Sequence, residues 1–127
     1  MAKILVLDDV EDAVVMLKKI LERKGHQIFG FTDEDEAISF AKDNQLDLAI
    51  LDIKLQKMSG VEVLRKLKEY QPQIKVIMLT GYPTVESARE SLSLGASEYC
   101  LKPIDKNELE TKVAQVLKGG KAEIRVG

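Results

Sequence analysis

The chain has 127 residues, of which 45% are hydrophobic and 31% are charged, and its 19 basic residues nearly balance 21 acidic ones. This length suits one domain, and no apolar run is long enough to cross a membrane. The mixed charge argues against direct binding of nucleic acid, the single cysteine excludes an internal disulfide framework, and the first residues lack a signal-peptide pattern, so we expect a cytoplasmic protein.

Short apolar runs alternate with helical patterns along the chain. The predicted strands are Lys3–Leu7, Gln27–Phe31, Leu46–Leu51, Ile74–Leu79 and Glu98–Leu101. The predicted helices are Glu11–Lys24, a helix capped by Thr32 or Asp33 that runs through Lys42, Gly60–Tyr70, Thr84–Leu94, and a last helix that follows Asp105. Repeats of strand then helix imply right-handed crossovers and a parallel sheet with helices on both faces.

Glycines and acidic residues mark several helix ends. Gly25 and Gly95 are expected to close the first and fourth helices, and Asp105 with Glu108 is a plausible capping pair for the fifth. The domain is expected to cover residues 1–118, because residues 119–127 show little periodicity and are typical of a frayed terminus or the start of a linker.

The expected fold is a flavodoxin-like, doubly wound α/β sandwich of three layers. Among the known orders for such sheets, five strands suit 2-1-3-4-5, which places the first and third strands side by side. This order is taken from known architectures, since periodicity alone does not fix it.

Polar groups stand at the ends of four predicted strands. They are Asp8 and Asp9 after the first, Asp52 after the third, Thr80 at the fourth and Lys102 after the fifth. Parallel strands direct their carboxyl ends to one edge of the sheet, where open sheets bind ligands. We therefore expect these side chains to form one pocket.

The residue types in this pocket favour phosphoryl chemistry. Three carboxylates repel one another by roughly 4 kcal/mol for each pair 4 Å apart at an effective dielectric near 20, so a cation is expected among them. Oxygen ligands on an open edge suit Mg²⁺, which Asp8 and Asp9 are well placed to hold. Asp52 stands alone and is the candidate nucleophile for an aspartyl phosphate. Thr80 and Lys102 would supply a hydroxyl and a positive charge to phosphoryl oxygens.

Each of these residues also has a purely structural explanation when it is considered alone. An Asp or Thr at a strand end is commonly a turn residue or a helix cap, and a Lys is commonly a solvated charge, so the hypothesis depends on the whole ordered set. The only histidine, His26, is expected in a surface turn at the opposite end of the sheet. The only cysteine, Cys100, is expected in a buried strand without a redox role.

Four motifs resemble the receiver domain of two-component response regulators. They are LVLDD at 5–9, LAILDIKL at 48–55, VIMLTGY at 76–82 and GASEYCLKPI at 95–104. The resemblance extends through about Leu117 and implies a phosphorylation-activated switch. Its phosphoryl group would come from a histidine kinase or a histidine phosphotransfer protein.

The resemblance implies a role for each site residue. Asp52 would be the phosphoacceptor, and Mg²⁺ would be bound by Asp9, Asp52 and the backbone carbonyl of Lys54, with Asp8 acting mainly through water. Thr80 and Lys102 would bind the phosphoryl oxygens.

The resemblance also implies how phosphorylation is read out. Thr80 would move toward the phosphate and the ring of Tyr99 would enter the vacated space, which changes the face formed by the fourth helix, fifth strand and fifth helix. The output would be contact with a downstream protein or a covalently linked output domain, with a phosphorylation-dependent homodimer as an option. The domain would catalyse only its own phosphorylation and dephosphorylation.

The chain departs from the family pattern at one position. Gln56 stands where family members often have proline, four residues after the predicted phosphoacceptor, so the loop that contains it is expected to be more mobile; Gly60 keeps the later glycine. Lys54 and Tyr82 occupy positions that in this family influence hydrolysis of the acyl phosphate. Their bulk is expected to shield the phosphate from water.

Two other functions fit the fold less well. A Mg²⁺-dependent phosphohydrolase for small molecules would need a cap or a long substrate loop, whereas the predicted connections are short. A flavin-binding module would need neutral phosphate donors after the first strand, where this chain has two acids.

Overall fold

The computed structural model describes residues 1–119 and shows a five-stranded parallel sheet. The strands are β1 (Lys3–Leu7), β2 (Gln27–Phe31), β3 (Leu48–Leu51), β4 (Lys75–Thr80) and β5 (Glu98–Leu101). Their order is β2-β1-β3-β4-β5, which confirms the predicted flavodoxin-like topology. Apart from Gly119 the predicted tail lies outside the described residues, and the domain boundary at residue 118 stays a prediction.

The pairing of β1 with β3 positions the site. Leu7 is the register partner of Leu51, so the residues that follow these two, Asp8 and Asp52, leave the sheet side by side. The amide of Asp52 donates to the carbonyl oxygen of Leu7 at 3.0 Å, which continues the ladder by one residue. The register therefore fixes the separation of two acids that lie far apart in the sequence.

Strand β3 begins later than predicted. The prediction counted Leu46 in this strand because it is apolar, and Leu46 is indeed buried. Its amide, however, donates to the side-chain Oε1 of Gln71 at 2.8 Å instead of joining a β ladder. Burial and strand pairing are separate properties, and the apolar pattern reports only burial.

The helices alternate with the strands as predicted. They are α1 (Glu11–Glu22), α2 (Glu34–Asp43), α3 (Gly60–Tyr70), α4 (Val85–Ser93) and α5 (Lys106–Leu117). The side chains of Asp33, Thr84 and Asp105 accept the backbone N–H three residues ahead, which satisfies free donors at the starts of α2, α4 and α5. Helix α1 ends two residues before the predicted Lys24, in a tight turn closed by Gly25 at φ +88°.

Two apolar cores lie on opposite faces of the sheet. One contains buried residues of α2 and α3, and the other contains buried residues of α1 and α5. Helix α4 packs beside α3 and β5 but buries only Ser91, whereas each of the other helices buries at least three residues. Among the described residues α4 is therefore the helix least anchored by its own side chains.

The lone histidine and cysteine are both shielded from solvent to some extent. His26, expected in a surface turn, is partly buried because its Nδ1 accepts the amide of Ala2 at 3.2 Å, next to the start of β1. Burial lowers the pKa of His26. Cys100 is buried in β5 as expected, and burial raises the pKa of its thiol. Within residues 1–119 no helix has the length and apolar character to cross a membrane.

Candidate functional site

Three carboxylates meet at the carboxyl edge of the sheet. One oxygen atom from each of Asp8, Asp9 and Asp52 lies within 4.8 Å of the others. Asp8 and Asp52 are buried, and Asp9 is partly exposed. Three oxygen donors this close together, one of them on a partly exposed residue, fit a hard divalent cation such as Mg²⁺.

Lys102 joins two of these acids. Its Nζ lies 2.5 Å from Oδ2 of Asp8 and 2.9 Å from Oδ2 of Asp52. Burial disfavours the ammonium, but the hydrogen bonds and charges of Asp8 and Asp52 outweigh this effect and raise the pKa of Lys102. The amide of Lys102 donates to the carbonyl oxygen of Thr80 at 2.8 Å, so strand pairing holds the lysine beside the acids.

The charges of the cluster act most clearly on Asp9. Burial and the neighbouring Asp8 and Asp52 raise the pKa of Asp9, and Lys102 offsets only part of this effect. The folded protein therefore holds the Asp9 proton more tightly than the unfolded chain does. Stability falls as pH rises from the ordinary value of 3.8 through the raised pKa, and the penalty is complete above that raised pKa.

We predict that Asp9→Asn stabilises the metal-free protein and weakens cation binding. Removing one of three crowded negative charges should raise the free energy of unfolding by up to about 1 kcal/mol, a small gain because Asp9 is partly exposed. The same change removes a ligand oxygen. Urea unfolding in EDTA measures the first effect and calorimetric titration with Mg²⁺ measures the second. A variant less stable than the wild type at neutral pH would contradict the prediction.

Thr80 and Tyr99 occupy neighbouring strands beside this cluster. Thr80 is fully buried at the end of β4, and its Oγ1 accepts the amide of Tyr82 at 3.0 Å. The hydroxyl of Tyr99 lies 2.6 Å from Oγ of Ser87 in the first turn of α4. Sequence analysis missed Ser87, although its spacing from the cap residue Thr84 indicates the capping box that the structure shows.

Lys54 and Tyr82 meet above the edge of the sheet. The amide of Lys54 donates to Oδ1 of Asp52 at 3.3 Å, and its Nζ lies 4.2 Å from the centre of the Tyr82 ring. Both residues line a groove of about 460 Å³ between the β3–α3 loop and the start of α4. The two side chains that sequence analysis treated separately thus contact each other through a cation–π interaction.

Gly60 is required by packing at the start of α3. A Cβ atom at this position would lie 1.9 Å from the carbonyl oxygen of Asp52, and the amide of Gly60 donates to the carbonyl oxygen of Ile53 at 2.7 Å. Side-chain atoms are excluded here because the helix meets the backbone of the predicted phosphoacceptor. The sequence indicated that a glycine was kept but did not indicate this contact.

The β3–α3 loop, expected to be more mobile because Gln56 stands in place of a proline, has two backbone contacts with α2. The amides of Lys57 and Met58 both donate to Oε2 of Glu34, a residue of α2 that is 1% exposed. Sequence analysis did not single out Glu34, because its partners lie 23 and 24 residues away.

An apolar groove adjoins Lys102 on the other side of the site. It has a volume of about 390 Å³. Its lining residues are Ala13, Met16, Leu17, Leu79, Lys102, Pro103 and Ile104. Met16 on α1 is 55% exposed although it is apolar. An exposed apolar surface beside a reactive group is typical of an interaction site.

Sequence comparison matches residues 4–114 to the family described as response regulator receiver domain. The chain is 34% identical over 116 residues to the alkaline phosphatase synthesis transcriptional regulatory protein PhoP of Bacillus subtilis, covering 91% of this chain and 48% of PhoP. It is 31% identical over 115 residues to sporulation initiation phosphotransferase F of the same organism, covering 91% of this chain and 93% of that protein. The chain thus spans about half of one relative and nearly all of the other.

Solved structures show the same fold. A response regulator receiver domain protein (CheY-like) from Methanospirillum hungatei JF-1 aligns with a TM-score of 0.92 and 33% identity, covering 94% of this chain and 95% of that one. A response regulator from Burkholderia pseudomallei with a phosphorylated aspartic acid and a calcium ion aligns with a TM-score of 0.79 and 26% identity, covering 94% of this chain and 76% of that one.

Proposed function

The chain belongs to the response regulator receiver domain family, the phosphorylation-activated switches of two-component systems, and from this premise we propose that Asp52 is its phosphoacceptor. One observation carries the assignment: Lys102 binds Asp52 and Asp8 together, with Asp9 beside them, at the edge where β1 and β3 end. Asp8 also accepts the amide of Val10 at 2.9 Å, which commits it to the start of α1. Asp52 likewise accepts the amide of Lys54, but at the longer distance of 3.3 Å, so its oxygen is held less tightly and is the better placed for attack on phosphorus.

The proposed reaction is a transfer of one phosphoryl group. An oxygen of Asp52 forms a bond to phosphorus while the bond from phosphorus to the donor nitrogen or oxygen breaks, and the donor keeps that electron pair. Lys102 balances charge on the phosphoryl oxygens, and the hydroxyl of Thr80 donates to one of them. Hydrolysis reverses the state when water attacks phosphorus, which restores the Asp52 carboxylate and releases inorganic phosphate.

The residues that would hold Mg²⁺ are Asp8, Asp9, Asp52 and the backbone carbonyl of Lys54. The convergence of the three carboxylates within 4.8 Å supports this set. When bound, the ion neutralises charge on the carboxylates and on the phosphoryl oxygens. Before the donor arrives, Lys102 binds the carboxylates of Asp8 and Asp52 and so holds the Asp52 side chain in place.

We propose that Thr80 and Tyr99 carry the switch to the α4–β5–α5 face. Phosphorylation adds charge and strong acceptors, which draw the Thr80 hydroxyl toward the phosphate and open space for the Tyr99 ring. Any movement of Tyr99 breaks or rebuilds its bond to Ser87, and Ser87 belongs to the cap of α4. Because α4 buries only one residue of its own, this small change can move it.

The output of this switch is proposed to be protein contact. A downstream protein, an output domain joined to this one, or a second copy would recognise the altered face. The greater length of PhoP supports a linked output domain in some relatives, and the nearly equal length of sporulation initiation phosphotransferase F supports a free-standing domain in others. In either arrangement we propose that the domain acts as a switch and does not turn over a separate metabolite.

The direct test of the proposed function is phosphorylation with acetyl phosphate and Mg²⁺. We expect intact-mass analysis to show one added phosphoryl group on the wild type, and hydroxylamine should remove it. Asp52→Asn should show none. A label that persists on Asp52→Asn would overturn the assignment, as would its absence from a folded wild type that binds Mg²⁺.

We predict that the contact between Lys54 and Tyr82 prolongs the life of the phosphate. Lys54→Ala or Tyr82→Ala should speed loss of the phosphate about threefold, which corresponds to a cation–π contact at an exposed site. The measurement is decay of the phosphorylated mass after the donor is removed. Lys42→Ala is the matched control, since Lys42 lies 5.0 Å from the ring centre of Tyr70. Unchanged lifetimes in both variants would remove the prediction.

We propose that the apolar groove beside Lys102 receives the kinase or phosphotransfer partner. A partner that presents a histidine to Asp52 must cover the edge of the sheet, and the groove offers apolar area at that edge. The exposed side chain of Met16 and the adjoining Pro103 and Ile104 suit packing against a helix of the partner.

We predict that Met16→Glu separates the two kinds of donor. Transfer from a phosphorylated kinase or phosphotransfer protein that acts on the wild type should slow about tenfold, because a charge would enter the apolar contact. Phosphorylation by acetyl phosphate should keep its rate. Val85→Glu, on the exposed side of α4, is the control. Equal slowing with both donors would show that the substitution disturbs the site itself.

A further inference from the structure

Glu34 is a buried acid that the proposed chemistry does not use. It stands at the start of α2 and is 1% exposed. One of its oxygens, Oε2, accepts the amides of both Lys57 and Met58 in the β3–α3 loop, the second at 3.0 Å. A carboxylate that accepts two backbone donors in a buried position fixes the loop relative to the helix.

The neighbours of Glu34 hold the same loop from outside. Nζ of Lys57 lies 2.5 Å from Asp33 and 3.2 Å from Asp35. Asp33, Glu34 and Asp35, which we call the acidic triplet, therefore bind one loop residue through both its side chain and its amide. Asp33 also caps α2 through the amide of Glu36 at 3.0 Å. We call the contacts of the acidic triplet with Lys57 and Met58 the clamp, and all three acids lie at the start of α2.

The clamped loop carries the groups that the cation and the phosphate need. Asp52 begins it, the carbonyl of Lys54 lies within it, and Gly60 closes it against the Asp52 backbone. The loop contains no regular secondary structure, and Gln56 gives it none of the stiffness of a proline. Between the two ends of the loop, its backbone is tied to α2 by the hydrogen bonds that the amides of Lys57 and Met58 donate to Glu34.

We propose that Glu34 is a positioning residue that holds the β3–α3 loop, and with it the carbonyl of Lys54, in the arrangement needed for cation binding. The proposal rests on the proposed function, since it takes Lys54 to be a ligand of Mg²⁺. Loss of the clamp would leave two amides without their acceptor and let the loop carbonyls sample other directions. The effect would fall on cation affinity before it fell on phosphoryl transfer itself.

The test compares Glu34→Ala and Glu34→Gln with Asp35→Ala. Asp35 is the control because its side chain is 65% exposed and contacts Nζ of Lys57 but not the loop backbone. For Glu34→Ala we expect faster hydrogen exchange at the amides of Lys57 and Met58. We also expect the Mg²⁺ dissociation constant, measured by calorimetry, to rise about tenfold. Glu34→Gln keeps an acceptor oxygen and should recover most of both properties. Asp35→Ala should change the Mg²⁺ affinity less than twofold.

Phosphorylation by acetyl phosphate at saturating Mg²⁺ completes the test. The rate for Glu34→Ala should return close to the wild-type rate, since the defect lies in affinity. Unchanged exchange or unchanged Mg²⁺ affinity in folded Glu34→Ala would overturn the proposal. If that variant does not fold, Glu34→Asp takes its place, because the shorter side chain withdraws the acceptor oxygen from the amides of Lys57 and Met58. Unchanged amide exchange together with wild-type Mg²⁺ affinity in Glu34→Asp would count against the proposal. A wild type that binds Mg²⁺ but takes no phosphate would instead refute the Asp52 assignment.

Discussion

Gly60→Ala is expected to destabilise the protein by about 3 kcal/mol and to slow phosphorylation about 100-fold. The added methyl group would lie 1.9 Å from the carbonyl oxygen of Asp52 and 2.9 Å from Cα of Ile53. These are backbone atoms, so no side-chain rotation relieves the overlap. Either α3 moves away from the sheet or the peptide after Asp52 turns, and both changes displace the proposed phosphoacceptor.

The measurements for Gly60→Ala are urea unfolding and the rate of phosphorylation by acetyl phosphate. Gly81→Ala is the stability control, because a Cβ atom there would find its nearest neighbours at 3.8 and 3.9 Å on Lys102, which is an ordinary contact. We expect that control to stay within about 0.5 kcal/mol of the wild type. If Gly60→Ala matched Gly81→Ala in stability, the packing argument for Gly60 would be wrong.

The sequence predicted the features of this site that depend on local pattern. Strand ends can be identified from apolar runs, so Asp8, Asp52 and Lys102 could be assigned to one edge once the strand order was chosen. Helix caps such as Asp33 and Asp105 act over three residues and are equally visible. The strand order itself came from known architectures, and the structure confirms it.

The features that the sequence did not predict depend on contacts between distant segments. Glu34 looks like an ordinary acid in the first turn of a helix, where a negative charge is favourable. The residues next to it in the sequence give no indication of its hydrogen bonds to the loop. Ser87 looks like a polar surface residue until Tyr99 is placed opposite it. Leu46 was assigned to β3 because burial and pairing coincide in most strands. For all three residues the local sequence pattern fits more than one role, and contacts between distant segments determine which role the residue has.

Lys102 is placed to stabilise the folded protein and also to serve the proposed phosphoryl transfer. In the absence of a cation, Lys102 is the positive group that contacts two of the three clustered carboxylates. In the proposed reaction the same ammonium would bind the phosphoryl oxygens, and a Mg²⁺ held by the three acids would balance their charge. The stability of the metal-free protein and the chemistry of the site should therefore respond together to loss of Lys102.

Lys102→Met should lower the free energy of unfolding of the metal-free protein by about 3 kcal/mol, since it leaves buried acids without their partner. The side chains of Asp8 and Asp52 are only 3% and 7% exposed, so water replaces the lost ammonium only in part. Mg²⁺ should restore much of the loss, and the rise in melting temperature on adding Mg²⁺ should exceed that of the wild type. Phosphorylation by acetyl phosphate should be about 100-fold slower even at saturating Mg²⁺.

Lys112→Met is the comparison variant, because it also removes the lysine of an ion pair but leaves a less buried carboxylate without its partner. Lys112 also pairs with a carboxylate, Glu98 at 3.0 Å, but the Glu98 side chain is 16% exposed, so water can solvate it in part and the pair should contribute about 1 kcal/mol. Thermal unfolding with EDTA and with Mg²⁺ measures both variants. Equal losses for the two lysines, or no additional Mg²⁺ stabilisation in Lys102→Met, would mean that the acids at the sheet edge are solvated in the metal-free protein. The close approach of Lys102 to Asp8 and Asp52 would then not account for the stability of that state.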